Sequence, residues 1–309
     1  MSKLVEAKNI SKSFGSFLAV KNISFSLKKG EILGFLGPNG AGKTTTMRLL
    51  TGFLAPDTGT ILIKQKNLFN NLLYARKSIG YVPEGSPLYG EMNTIDFLNF
   101  IYDIRVLSKL NKENAINDVI NLLKLENILG QRIDTLSKGF KRRVGLAQAI
   151  LHNPEILILD EPTDGLDPNQ KNEVRNLIKN LGKEKAIIIS THILEEVNSV
   201  CNRAMIIANG QLLIDDNPNN ILKKSKSYNN VFISIEEKSN SELKSELLKM
   251  NIAKNISIEA SYCVVRPNGN NKLKNTIQKF VKDKSYTIKH FSIEKGSLED
   301  VFSELTINE

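Results

Sequence analysis

Between positions 37 and 44 the chain reads Gly37-Pro38-Asn39-Gly40-Ala41-Gly42-Lys43-Thr44, a full match to G-x-x-x-x-G-K-[ST]. Its glycines let successive backbone N–H groups converge on one point, and such a nest of donors suits the oxygens of a phosphate chain. A helix opening behind the loop adds the positive end of its dipole. Lys43 is then placed to reach β- and γ-phosphates, the Thr44 hydroxyl to ligate Mg²⁺, and Thr45 to add a further phosphate contact. A glycine turn with a chance lysine does not explain the apolar run before the loop and the helical pattern after it.

Asp160-Glu161 forms a second group, at the end of the apolar run Glu155-Ile156-Leu157-Ile158-Leu159. An aspartate emerging from a buried parallel strand lands at the sheet edge where the phosphate loop also lies, and can hold Mg²⁺ through water. A carboxylate one residue further, Glu161, can polarise an attacking water as general base. The competing reading is an acidic pair that merely caps the next element before Pro162.

These groups need a scaffold, and the spacing supplies one. Strand patterns cover 4–7, 23–27 and 31–36, the last feeding the glycine loop; a helix follows over 44–51. Between 93 and 129 the apolar period becomes helical, with Phe97, Phe100, Ile101 and Ile104 expected on one face and Ile116, Val119, Ile120 and Leu123 on another. A basic helix over 137–151, buried strands over 155–160 and 186–190, and a helix over 168–181 between them imply a doubly wound sheet with ligand sites at its carboxyl ends. Asn209-Gly210 marks a closing hairpin over 204–214.

The expected organisation is an α/β domain over 1–216, with a helical subdomain at about 85–150, a polar lysine-rich linker over 217–230, and a small α+β domain over 231–309. The tail reads strand 231–235, helix 241–250, strand 257–266, helix 272–282, strand 286–293 and helix 298–305.

At 309 residues, 41% hydrophobic and 24% charged, the chain has the balance of a folded globular protein rather than a disordered or fibrous one. Two cysteines, Cys201 and Cys263, are too few for a disulfide framework or a four-ligand zinc site. The amino terminus lacks the pattern of a signal peptide, and no apolar run approaches the ~20 residues that span a bilayer. A formal charge of +9 admits nucleic acid, an anionic membrane surface or a compositional bias toward lysine, and the lysines are dispersed.

In order and spacing, the phosphate loop, Leu136-Ser137-Lys138-Gly139-Phe140, Ile156 to Pro162, Thr163-Asp164-Gly165-Leu166-Asp167-Pro168 and Ser190-Thr191-His192 resemble the ATP-binding subunits of ABC transporters over about residues 3–215. Gly80-Tyr81-Val82-Pro83-Glu84, Val144 to Ala149 and Ser297 to Phe302 are most similar to the ABC-2-type exporter ATPases, including drug-resistance and gliding-motility-associated subunits. The resemblance implies a P-loop NTPase cassette, a mixed sheet core with a helical subdomain, plus the C-terminal α+β domain. It implies ATP and Mg²⁺ as cofactors and ATP hydrolysis as the activity, with Lys43, Glu161 and His192 catalytic. Gly37 to Thr45 would hold phosphates, Phe14 would stack on adenine with Phe17 as rival, and Thr44, Glu84 and Asp160 would serve the metal. Ser137, Gly139 and Asp167 would act across a dimer, so that one copy cannot complete a site. A separate integral membrane permease is the implied partner, gripped near 84–107 with Tyr89, Phe97 and Phe100 as candidates, which puts the chain peripherally at the cytoplasmic face of the cell membrane. Direction is export and no nucleic acid is implied.

Two departures stand out. Lys138 and Phe140 replace the usual third and fifth members of Leu-Ser-Gly-Gly-Gln, and Glu84 stands where glutamine is usual; a carboxylate still ligates Mg²⁺, and turnover is expected to persist. The alternative class is a soluble ABC-type ATPase acting on translation or nucleic acid, against which a single phosphate loop counts. A nucleotide-binding module without turnover is disfavoured by intact Lys43, Asp160, Glu161 and His192.

Overall fold

The structure, a computed structural model, describes residues 2–85, 87–105, 111–267 and 273–307. Two compact units divide after Pro218. In the first, the hairpin β1 (Lys3–Phe14) and β2 (Phe17–Lys28) leads to β3 (Ile32–Leu36), α1 (Lys43–Leu50), β4 (Thr58–Ile63), β5 (Lys66–Asn67), α2 (Leu72–Ser78) and β6 (Ile79–Val82). Then come α3 (Thr94–Arg105), α4 (Lys112–Leu123), α5 (Lys138–Ile150), β7 (Ile156–Asp160), α6 (Pro168–Leu181), β8 (Ala186–Thr191), α7 (Leu194–Val200), β9 (Arg203–Ala208) and β10 (Gln211–Asp216).

The central sheet has the order β10-β9-β3-β8-β7-β6. Its strands run parallel from β9 to β6, and β10 closes it antiparallel through Asn209 and Gly210, both at positive φ. A second, antiparallel sheet has the order β2-β1-β4-β5. β3, β7 and β8 are buried along their whole length, and their side chains alternate between two cores. Ile156, Ile158 and Ile188 pack with Met47, Leu49 and Leu50 of α1 and with the antiparallel sheet. Leu157, Leu159 and Ile189 pack with α3, α4 and α5. Continuous apolar runs are what a strand covered on both faces requires.

The face of α3 differs from expectation. Thr94, Phe97, Leu98, Ile101 and Tyr102 are buried, whereas Phe100 is 39% and Ile104 61% exposed. Two i, i+3, i+4, i+7 stripes overlap in this segment, and packing against α4 and α5 selects the one through Leu98. Phe97 is therefore a core residue and not a gripping surface.

α8 (Pro218–Leu222) falls within the stretch read as a linker, and Ser225 and Ser227 beyond it donate to Asp300. The second unit continues with β11 (Val231–Ile235), α9 (Asn240–Lys249), β12 (Ala253–Glu259), β13 (Tyr262–Pro267), α10 (Leu273–Asp283), β14 (Ile288–Ile293) and α11 (Leu298–Ile307). Its antiparallel sheet has the order β12-β13-β11-β14, with α9 and α10 residues packed against Val231, Ile233, Cys263 and Val265. The single strand expected over 257–266 is the tip of a hairpin instead: it takes in the end of β12, a turn at Ala260 with φ 50°, and most of β13. Ala260 carries a Cβ at positive φ, where Gly or Asn is usual, and Ser261 is a weaker turn signal than Asn or Asp, so the reversal left only a faint mark in the residue pattern.

A candidate nucleotide site at the carboxyl edge of the central sheet

β3 ends at Leu36 and the glycine loop follows, its conformation dictated by close backbone neighbours. Gly42 has φ 100°, and a Cβ there would sit 2.3 Å from the Ala19 carbonyl oxygen; at Gly37 a Cβ would sit 2.4 Å from that of Ile207. Only glycine fits either place. Gly42 is also the N-cap of α1 and supplies no side-chain cap, which leaves the first N–H groups of the helix to an anion. Lys43 folds back over its own loop, donating to the carbonyls of Gly37 at 2.8 Å and Pro38 at 3.2 Å, with its ammonium 3.9 Å from Glu161. Burial pulls its pKa down, against the opposing pull of Glu161, Asp160 and Glu84.

Asp160 is fully buried at the end of β7. Its Oδ1 accepts from Ser190 Oγ, on the paired residue of β8, and lies 3.5 Å from Thr44 Oγ1. Its Oδ2 has no hydrogen-bond partner among the described residues. A buried carboxylate oxygen without a donor costs free energy unless something positive meets it. Thr44, Asp160 and Glu84 line one cleft of about 340 Å³ together with Tyr81, whose phenol is pushed up to about 12 by burial and by Asp160. Three hard oxygen donors around an unpaired carboxylate oxygen fit Mg²⁺.

Glu161 takes φ 48°, rare for a residue with a side chain. Its N–H donates to Ser190, to the carbonyl and to the hydroxyl, each at 3.1 Å. Its carbonyl accepts from the buried Arg142 guanidinium at 2.7 Å. So held, the carboxylate points Oε2 at His192 Nδ1, 3.0 Å away, and Oε1 toward Lys43. Strain of this kind persists where surrounding contacts overdetermine it.

The fold thus brings Gly37 to Thr44, Asp160, Glu161, His192 and Glu84 to one edge, with Thr45 half-buried on α1. Ser137, Gly139 and Asp167 are placed differently. Ser137 caps α5 by accepting from Phe140 N, Asp167 caps α6 by accepting from Gln170 N, and a Cβ on Gly139 would meet the Gln170 side chain at 2.6 Å. Among the described residues no hydrogen bond joins these three to the phosphate loop. Phe14 and Phe17 face each other at the β1–β2 hairpin tip, 48% and 59% exposed; Ala19 of the same hairpin packs on Gly42. Sequence reasoning passed over Ser190 as the anchor of Asp160 and Arg142 as the anchor of Glu161. Ser190 carries a signal, a polar residue closing an apolar strand beside Asp160, whereas Arg142 is one of three consecutive basic residues and nothing singles it out.

The ABC transporter family model matches residues 20–164. The bacitracin transport ATP-binding protein BcrA of Bacillus licheniformis is 37% identical over 230 residues, 74% of this chain and 74% of that protein. The Nod factor export ATP-binding protein I of Burkholderia orbicola is 34% identical over 220 residues, covering 71% and 72%. A solved ATP-binding subunit of an ABC transporter superposes with a TM-score of 0.66 at 28% identity, over 72% of this chain and 92% of that one.

Proposed function

This chain belongs to the ABC transporter family, and from that premise we propose how its residues run the cycle of an ATP-binding subunit that hydrolyses ATP to power transport, in the direction of export. The observation that carries the reading is the unpaired, buried Oδ2 of Asp160 beside Thr44 and the phosphate loop.

The loop from Gly37 to Thr45 binds the phosphates, and Lys43 exchanges two carbonyl acceptors for phosphate oxygens, a stronger charge-assisted pairing. Thr44, Asp160 and Glu84 would hold Mg²⁺, which neutralises charge on the phosphate oxygens when bound. Glu161 takes the proton of the attacking water, and His192, hydrogen-bonded to it, orients that water against the γ-phosphate. Phe14 stacks on the adenine. Ser137, Gly139 and Asp167, which lie apart from the phosphate loop's own contacts, serve the site of a second ATP-binding subunit, so ATP joins two copies and hydrolysis releases them.

No helix among the described residues is long and apolar enough to cross a membrane. The likeness to ATP-binding subunits of transporters supports a partner permease on a separate chain, with this subunit at the cytoplasmic face. A groove of about 600 Å³, with Phe53, Leu73, Ile79 and Ile104 as its apolar wall and Arg76, Lys77 and Arg105 also lining it, is the docking site on this side; Phe53 and Leu73 are 73% and 77% exposed. Tyr89 and Phe100, whose rings meet edge to face at 5.5 Å, form a neighbouring exposed aromatic pair on the helical subdomain.

Glu161→Gln tests the cycle, since it keeps the volume and removes the base. Expected are loss of turnover and an ATP-dependent dimer in size-exclusion chromatography. A variant that binds ATP yet stays monomeric, or that hydrolyses at the wild-type rate, overturns the proposal.

A further inference from the structure

Glu196 lies on α7, four residues after His192, and is 4% exposed. Both of its oxygens are used. Oε1 accepts from Thr163 Oγ1, and Oε2 accepts from Thr191 Oγ1 at 2.8 Å; both threonines are buried. Thr163 sits two residues after Glu161, in the loop leading to Asp167, and Thr191 ends β8 immediately before His192. The Thr191 hydroxyl spends its one proton on Glu196 and accepts from Ile193 N at 3.0 Å, while Ile193 O accepts from Glu196 N at 3.1 Å. His192 is therefore bracketed: the residues before and after it are both tied to Glu196.

Burying a carboxylate this deeply is costly and rarely a net gain in stability. Burial pushes the Glu196 carboxyl up; the Thr191 hydroxyl, Arg175 and Lys171 pull the other way, and Glu161 adds to the burial effect. The Arg175 guanidinium is itself turned to Glu195 at 2.9 Å. A well-packed apolar residue would fill the place at lower cost, but it could not join the two loops.

We propose that Glu196 is a positioning residue for hydrolysis: its carboxylate clamps the loop after β7 to the loop after β8, and so sets the approach of His192 to Glu161. The inference rests on the hydrolytic roles assigned above to those two residues. Loss of the clamp leaves the phosphate loop untouched, because Lys43, Thr44 and Asp160 make no bond to Glu196, Thr163 or Thr191 among the described residues. Turnover and nucleotide affinity must therefore separate.

The test uses the full chain with Glu196→Ala, Glu196→Gln, Thr191→Val and Thr191→Ser, reading steady-state ATP hydrolysis and equilibrium ATP binding. Expected are a fall in kcat of at least fivefold for Glu196→Ala and Thr191→Val, with ATP affinity within twofold of wild type. Glu196→Gln should recover most of the rate, since its amide still accepts from one threonine and donates to the other, and Thr191→Ser should keep it. Thr191→Val nearly preserves volume and serves if Glu196→Ala does not fold. The clamp is refuted if Thr191→Val and any folded Glu196→Ala keep kcat within fivefold, if affinity falls in step with kcat, or if Gln and Ser fail to rescue. Glu161→Gln and His192→Ala run alongside: if these retain wild-type turnover, the hydrolytic assignment itself has failed, and if they lose it while Thr191→Val does not, only the clamp has.

Discussion

Replacing Ser190 by alanine removes the side-chain hydroxyl that donates to Asp160 Oδ1. What remains near that carboxylate is Thr44 Oγ1 at 3.5 Å, too long to replace it, and Oδ2 already lacks a donor among the described residues. The N–H of Glu161 keeps the main-chain oxygen of residue 190 at 3.1 Å, so its loss is minor. A hydrogen bond to a buried charge contributes about 1.5–3 kcal/mol, and leaving the group under-solvated puts Ser190→Ala in the upper half of that range, about 2–3 kcal/mol. For a domain the size of the first unit this lowers Tm by roughly 4–12 °C. The deficit belongs to the metal-free protein, because a cation at Oδ2 restores a partner to the carboxylate. Thermal unfolding in EDTA and in saturating Mg²⁺ with ADP should show the variant's deficit shrink by half or more in the second condition. An unchanged Tm in EDTA, or a deficit equally large with Mg²⁺ and nucleotide, refutes the reasoning.

His152 donates from Nε2 to the Ile79 carbonyl, 3.1 Å away, and burial, helped by Arg105, pushes its pKa from 6.5 down to about 4. Below pH 6.5 the unfolded chain takes up a proton that the native chain refuses until about pH 4, so stability present above 6.5 is lost on acidification across that window. A shift of this size corresponds to roughly 3 kcal/mol; the urea midpoint between pH 7 and 4.5 should fall less steeply in His152→Gln, and an equal slope counts against the assignment. Leu73→Asp puts a charge on the groove's apolar wall; it should leave ATP hydrolysis by the isolated chain within twofold and abolish co-purification with the detergent-solubilised membrane subunit, whereas retained co-purification moves the docking site elsewhere.

The candidate site was legible where its chemistry is local. Gly37 to Thr44 is a contiguous run in which Gly42 and Gly37 are demanded by the carbonyls of Ala19 and Ile207 and Gly40 by its positive φ, so a motif eight residues long records in part a steric requirement imposed by two other strands. β7 and β8 were legible because a strand covered on both faces needs an unbroken apolar run, and β10 because Asn209-Gly210 accepts positive φ at both positions. α3 shows the limit: two helical stripes overlap between Thr94 and Ile104, and periodicity alone does not rank them.

Residue order alone determined which groups could do chemistry: a phosphate-binding loop, an acidic pair ending a buried strand, and a histidine after the next one. Tertiary structure alone decided how those groups hold one another. The parallel register of β7 with β8 sets Ser190 against Asp160; the packing of α5 brings Arg142 to the Glu161 carbonyl; and α7 carries Glu196 back between Thr163 and Thr191. The physical reason is distance along the chain: apart from Thr191 and Glu196, five residues apart, these partners lie 19 to 33 residues apart and meet through strand register and helix packing, and no local pattern encodes a hydrogen bond across such a gap.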